Sequence, residues 1–338
     1  MDTIRESKEC RVGFATQADF DVPAVDGANV TEISVEAFDI ESGVKRHEIN
    51  GQYGSKNPTV LNTVNSSQGA ISNFTTVGAL NVETADEFLY THFQDVIELA
   101  DTEFTKTFNY CDPIPDFSAN AGHFLTFIKR FPTASASYKI GGCIAKSFKI
   151  SGERDGLIML ECGWVGMGVP SYVSNPSGTW ALNDPDEFLE FNDMASATLM
   201  VEPVTLSPFN VILQSFSLEG QFDVEGIGHD ATDGFASYGL SNRSGKFSIT
   251  ILRDTNIDEI ITGFTAGALV TLAIDLGKLS FSVTGQIESL EDSKDGLAAV
   301  TVNCNFAADI NESTGVVADA NMLQLVIQNS HDRAWPAA

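Results

Sequence analysis

Short stretches of alternating apolar and polar residues run along the chain, and they constrain its fold more than any single motif. Ile33-Ser34-Val35-Glu36-Ala37-Phe38-Asp39-Ile40 is the clearest. Its two-residue period is that of a strand with one face on a core and the other in water. Further strand-like runs lie at Ala70 to Asn81 and Leu279 to Leu290. Gly (28 residues) and Phe (23) each outnumber Lys plus Arg (19), a mix that suits strands joined by turns. With 338 residues and 43% hydrophobic side chains, the chain can form two domains with sizeable cores and is too apolar to be disordered. The expected class is all-β with short flanking helices.

One helix is expected in each half. Thr84 to Phe93 starts with a capping residue and Asp86-Glu87 near the positive helix end, and gathers Phe88, Leu89, His92 and Phe93 on one face. Asn256 to Phe264 repeats the plan with Asp258-Glu259. Each half also holds a hairpin. Ile144, Lys146, Phe148 and Ile150 run into Gly152-Glu153-Arg154-Asp155-Gly156, and Leu157 to Cys162 returns. Leu279 to Leu290 runs into Lys294-Asp295-Gly296, and Leu297 to Cys304 returns. Asp-Gly suits the positive φ of such turns.

Strand, Asp-Glu helix and Asp-Gly hairpin therefore recur in the same order, the mark of an internal duplication. Asp86 to Asp155 spans 69 positions and Asp258 to Asp295 spans 37. The difference points to an insert at about 101–132, where Cys111-Asp112-Pro113-Ile114-Pro115 breaks regular structure. Pro170 to Pro208 is Pro-rich and contains acidic Asp184 to Glu190, as a domain junction would. The expected organisation is an N-terminal arm (1–30), a first β domain (31–170), a linker (171–200) and a second β domain (201–338).

The formal charge is −27, with −10 in residues 1–169 and −17 in the remainder. Such a surface disfavours binding to nucleic acid and anionic membranes, because phosphates need Lys and Arg. The five cysteines, Cys10, Cys111, Cys143, Cys162 and Cys304, form no CxxC pair. Neither a disulfide framework nor a zinc site is expected. Met1 to Lys8 lacks a signal-peptide core, and the most apolar run, Phe264 to Leu276, contains Asp275. The reading is a cytoplasmic product without a membrane span.

No catalytic signature stands out. His47, His92, His123, His229 and His331 are scattered, and HExxH, GxSxG and Walker A patterns are absent. Gly163 to Gly168 resembles a phosphate loop but has no Lys and follows a hairpin. Ser42 and Lys45 have an acyl-enzyme spacing without the accompanying motifs. Asp230 to Gly234 lacks the bidentate Glu of an EF-hand. His92 reads as a core histidine and Cys162 and Cys304 as buried thiols.

The order of elements resembles that of siphophage major tail tube proteins. The resemblance rests on the entry segment Arg11 to Pro23, a strand, the long polar loop Glu41 to Gln68 and a strand leading to the Asp86-Glu87 helix. It continues through Gly141-Gly142-Cys143 to Ser151, the glycines at Gly163 to Gly168, and Gln214-Ser215-Phe216-Ser217-Leu218-Glu219 with the later hairpin. It implies a duplicated β-sandwich whose hairpins join into a β-barrel lumen on oligomerisation. It implies a non-enzymatic virion protein with no cofactor or metal, assembled in the host cytoplasm into stacked rings that conduct DNA on ejection. The rings would be pseudo-hexameric trimers or hexamers. Tail terminator, tape measure and distal tail proteins would be further partners, and DNA would pass without specific binding. The long loop would touch the adjacent ring through Lys45, Arg46, Tyr53 and Lys56, and an acidic lumen would keep DNA on the axis. A tail terminator or capsid decoration protein remains a competing reading. So does a carbohydrate- or receptor-binding sandwich, although Trp164, Trp180 and Trp335 are dispersed. A β-rich hydrolase would need a convergent polar site, and none is visible.

Overall fold

The computed structural model describes residues 11–17, 30–33, 35, 37–41, 45–51, 59–66, 71–93, 96–99, 103–110, 123–130, 136–174, 180, 187–202, 208–227, 237–252, 257–292, 299–307 and 322–331. The fold is all-β. In the first half come β1 (Arg11–Gln17), β2 (Thr31–Ile33), β3 (Ala37–Glu41), β4 (Lys45–Gly51), β5 (Thr59–Ser66) and β6 (Ile71–Ala79). Then follow α1 (Val82–Phe93), β7 (Val96–Leu99), β8 (Phe104–Asn109), β9 (Phe124–Arg130), β10 (Ala136–Glu153) and β11 (Met159–Ser174). The second half has β12 (Ser196–Glu202), β13 (Phe209–Asn210), β14 (Leu213–Ile227), β15 (Ser237–Leu252) and α2 (Ile257–Ala266). It ends with β16 (Leu269–Asp275), β17 (Leu279–Asp292), β18 (Ala299–Phe306) and β19 (Leu323–Asn329).

One antiparallel sheet runs through both halves in the order β3-β6-β11-β10-β14-β15-β18-β17. A second layer covers it, with β2-β1-β9-β10 over the first half and β13-β12-β16-β17-β19-β8-β7 over the second. The long strands β10 and β17 belong to both layers. Near each crossover the register slips, between Lys139 and Ser147 in β10 and between Ile287 and Ser289 in β17. Such bulges bend a strand from one sheet to the next.

The alternation read from sequence now has a cause. Inward residues of both layers fill one continuous core, including Phe14, Phe74, Phe127 and Trp164 in one half and Phe216, Phe247, Leu272 and Phe281 in the other. Phe127 lies 4.7 Å from Trp164 and 5.2 Å from Phe74, both edge-on, a geometry the ring quadrupoles favour. The Trp164 Nε1–H is satisfied by Thr76 Oγ1 at 2.8 Å. In the β10–β11 turn Asp155 takes φ +63°, as its sequence suggested.

Several boundaries differ from those read in the sequence. Residues 11–17, placed in an N-terminal arm, form β1 and pair along their full length with β9. Burying Val12 and Phe14 draws that segment into the sandwich. Within the supposed insert at 101–132, β9 is a core strand, whereas the β7–β8 hairpin is added to β19 of the other half. The breaker at Cys111 to Pro115 lies outside the described residues. The supposed linker begins inside β11, buries Trp180 and Phe191, and contains the start of β12. The cap of α1 is Asn81, whose Oδ1 accepts from the Glu83 amide at 3.0 Å; Thr84 lies within the helix. The long polar loop contains β4 and β5, paired from Lys45↔Ser66 to Gly51↔Thr59 as a two-stranded sheet of their own. The second Asp-Gly turn and Asn256 lie outside the described residues.

Candidate functional site

Where the through sheet ends, two backbone edges stand open. β16 accompanies β17 only as far as Gln286, so 287–292 pair with β18 on one side and with no strand on the other among the described residues. At the opposite end β3 pairs with β6 alone, from Ala37↔Val77 to Glu41↔Asn73. Open edges present rows of N–H and C=O groups that favour pairing with another strand.

The join between the halves shows how such an edge is filled. Seven consecutive residues of β10, Ser147 to Glu153, pair with Gln221 to Ser215 of β14. On one face Glu219 bridges Lys149 at 3.0 Å and Lys246 at 3.2 Å, linking three strands. Partial burial alone would raise the Glu219 pKa, but hydrogen bonds and charge from the two lysines outweigh it and hold the carboxylate below its ordinary range. On the other face the Phe148 ring lies across Gly220, where a Cβ would come within 2.4 Å of the ring.

The non-core face of the sheet is polar and shallow. Ser248 donates to Asn303 at 2.7 Å, Asn303 donates to Ser289 at 2.9 Å, and the Thr250 and Thr301 hydroxyls meet at 3.0 Å. A depression of about 440 Å³ there is lined by Lys149, Glu161, Glu219 and Lys246, among others. Of its two carboxylates, Glu219 is bridged by two lysines, and the lining holds no histidine or cysteine. Among the described residues no group of three His, Cys, Asp or Glu is arranged to hold a metal.

The buried polar groups act as struts. Lys106 on β8 reaches Asp86 Oδ2 at 2.8 Å, Asn329 Oδ1 at 2.5 Å and the His331 carbonyl at 2.7 Å. Asn329 donates in turn to the Asp86 carboxylate Oδ2 and the Val82 carbonyl, both at 2.9 Å. This network ties α1 to β8 and β19. His123 pairs with Glu87 at 2.5 Å. His92 donates from Nδ1 to the Ala145 carbonyl at 2.8 Å and stacks on Phe222. Burial, helped by the Arg243 charge, lowers its pKa to about 3, so the ring is neutral. Cys143, Cys162 and Cys304 are buried free thiols. Burial raises the Cys304 pKa to about 12 and pushes the other two higher, which removes the reactive thiolate.

Of the residues read as contacts to an adjacent ring, Lys45 and Arg46 open β4, opposite Ser66 and Asn65. Tyr53 and Lys56 lie outside the described residues. Gly163 to Gly168 is part of β11 rather than a phosphate loop, and the Asp230 to Gly234 segment lies outside the described residues. The two open edges escaped the sequence reading. Their signal was present: Ala37-Phe38-Asp39-Ile40-Glu41 and Ser215-Phe216-Ser217-Leu218-Glu219 share Phe-x-aliphatic-x spacing and a closing Glu, and both stretches are strands. No helix among the described residues is long and apolar enough to cross a membrane. No family model matches the chain, and no curated protein matches it.

Proposed function

We propose that the protein is a structural subunit of the siphophage tail-tube kind, built from two tandem units and closing into rings that stack as a conduit for DNA. The observation that carries this reading is the strand order of the through sheet. β3-β6-β11-β10 is followed by β14-β15-β18-β17, and corresponding strands follow in the same chain order, with β4–β5 and β7–β8 added in the first half. β6 and β15 each lead into a helix, then into an outer strand (β9 or β16), then into the long hairpin (β10–β11 or β17–β18). In the paired registers Phe38 answers to Phe216, Phe74 to Phe247, and Asp155-Gly156-Leu157 to Asp295-Gly296-Leu297.

In a tandem arrangement the last strand of one unit meets the first strand of the next, as β10 meets β14. The same contact between chains joins β17 of one copy to β3 of another. It is head-to-tail, and such contacts form rings when the rotation closes. Three chains supply six units; a ring of six chains is the competing stoichiometry. Leu290 pairs with Val302 as Phe148 does with Cys162, so carrying the β10–β14 register over places Asp292, the counterpart of Ile150, opposite Ile40 of the neighbouring copy.

The face proposed to line the lumen differs from the strongly acidic wall expected from the charge. Its described charged side chains include Glu153, Glu161 and Glu291, Lys149 and Lys246 engaged by Glu219, and Lys146, which donates to Asn73 at 2.9 Å. The remainder is largely Ser, Thr and Asn. Such a wall offers no array of free cations for phosphates, so passage without specific binding rests on neutrality more than repulsion. The β4–β5 hairpin, with Lys45 and Arg46, would reach the adjacent ring. On this reading the protein is not an enzyme, needs no cofactor and resides in the virion tail, where the terminator, tape measure and distal tail proteins would contact it.

The seam can be trapped. Ile40→Cys and Asp292→Cys in one chain should give, on mild oxidation, covalent species ending at three chains, while either single variant gives none beyond the wild-type background. Equal cross-linking in the single and double variants would remove the seam.

A further inference from the structure

The two helices hold the same place in the strand order yet are covered differently. All twelve residues of α1 are buried. Its cover comes from the outer sheet of the second half, where Lys106 on β8 and Asn329 on β19 bond to Asp86. α2 seats Ile260 in the core and lays Gly263 against β12, where a Cβ would come 2.3 Å from Val201 Cγ1. It leaves Ile261 (40% exposed) and Phe264 (42%) in solvent, three positions apart and so on one face. The neighbouring hydroxyls do little to make that face polar. Thr262 donates to the Asp258 carbonyl at 2.7 Å and Thr265 to the Ile261 carbonyl at 3.0 Å.

We propose that the Ile261–Phe264 face of α2 is a docking surface for a second copy of this chain. The proposal rests on the ring reading above and assigns the helix to the same seam. α1 lies at the β10–β14 join, where His92 on it stacks on Phe222 of β14 and meets Phe148 of β10 edge-on. The corresponding join for α2 is between β17 and the neighbour's β3. What covers α1 there is the outer sheet of the following unit, at β19 with β8 added to it. In the first unit that position belongs to the distal part of β11. There β6 accompanies β11 only to Met167, and among the described residues no strand lies beyond it on that edge. The neighbour's β11 end is therefore the surface that covers α2, continuous with the sheet pairing at β17.

The test uses the full-length chain. Ile261→Glu/Phe264→Glu should melt like the wild type, since both side chains are already in solvent. It should need at least about tenfold more protein to assemble, as followed by light scattering. Separately, Phe264→Cys is labelled with a maleimide and read by peptide mass analysis, which isolates that thiol from native cysteines. Its labelling should slow at least about tenfold when the Ile40–Asp292 seam is cross-linked and assembled. Unchanged assembly of the charged variant, or unchanged labelling of Cys at 264 in cross-linked rings, would overturn the helix surface and leave the ring reading standing. A wild type that stays monomeric at every concentration would overturn both.

Discussion

Lys106 is a cation with no exposed surface, held by Asp86, Asn329 and a main-chain carbonyl. Burying an ion pair is expensive, yet breaking one leaves the other charge stranded. Lys106→Met should therefore cost about 3–5 kcal/mol in denaturant unfolding, and Lys106→Met/Asp86→Asn should recover part of it. Equal losses in the two variants would contradict the pairing. His92 makes a prediction about pH. Its folded pKa, about 3, lies below the ordinary 6.5, so between those values the unfolded chain binds a proton that the folded chain excludes. Its contribution is complete above pH 6.5 and is lost as pH falls toward 3. His92→Phe should lower stability by about 1 kcal/mol at neutral pH through the lost bond to Ala145. Its stability should then fall less steeply than that of the wild type between pH 6.5 and 3. Parallel curves would place the titration elsewhere.

At the scale of elements, the seam between halves depends on Phe148 lying flat across Gly220. Gly220→Val forces the ring aside, and an overpacked site of this kind costs about 1–3 kcal/mol; thermal unfolding measures it. The β4–β5 hairpin forms a separate small sheet, so Lys45→Glu/Arg46→Glu should leave the melting temperature unchanged while shortening tubes on micrographs. Tubes of normal length would remove its stacking role. The sequence disclosed those elements whose causes are local. The two-residue alternation located β6, β10, β11 and β17, and Asp155-Gly156 placed a turn. It did not disclose β1 as a core strand, because its burial pattern depends on β9, more than a hundred residues away. The β4–β5 hairpin was missed because it opens on Lys45-Arg46-His47-Glu48, four polar residues in a row, so no two-residue apolar period marks it. Nor could α1 and α2 be told apart: both carry an amphipathic pattern, and only the sheet packed on α1 makes its outer face buried.

For the whole molecule, the described residues read as candidate chemistry, such as His92 and Gly163 to Gly168, are struts or strand positions, while the open edges depend on a pairing order no local pattern states. The shared Phe-x-aliphatic spacing of β3 and β14, with the recurring Asp-Glu helix and Asp-Gly hairpin, is the trace of that order in the sequence. A net charge of −27 opposes bringing copies together, and screening over about 8 Å at physiological salt relieves it. Assembly should therefore strengthen as salt rises from very low values; weakening over that range would point to ion pairs as the main contacts. The most direct test is electron microscopy of the purified full-length chain at moderate salt. It should reveal hollow rings, singly and stacked, whose inner wall is a continuous sheet from three chains, each giving β3-β6-β11-β10-β14-β15-β18-β17, with β17 of each chain beside β3 of the next. A uniform monomer, or a ring in which β17 and β3 of neighbouring chains do not meet, would contradict it.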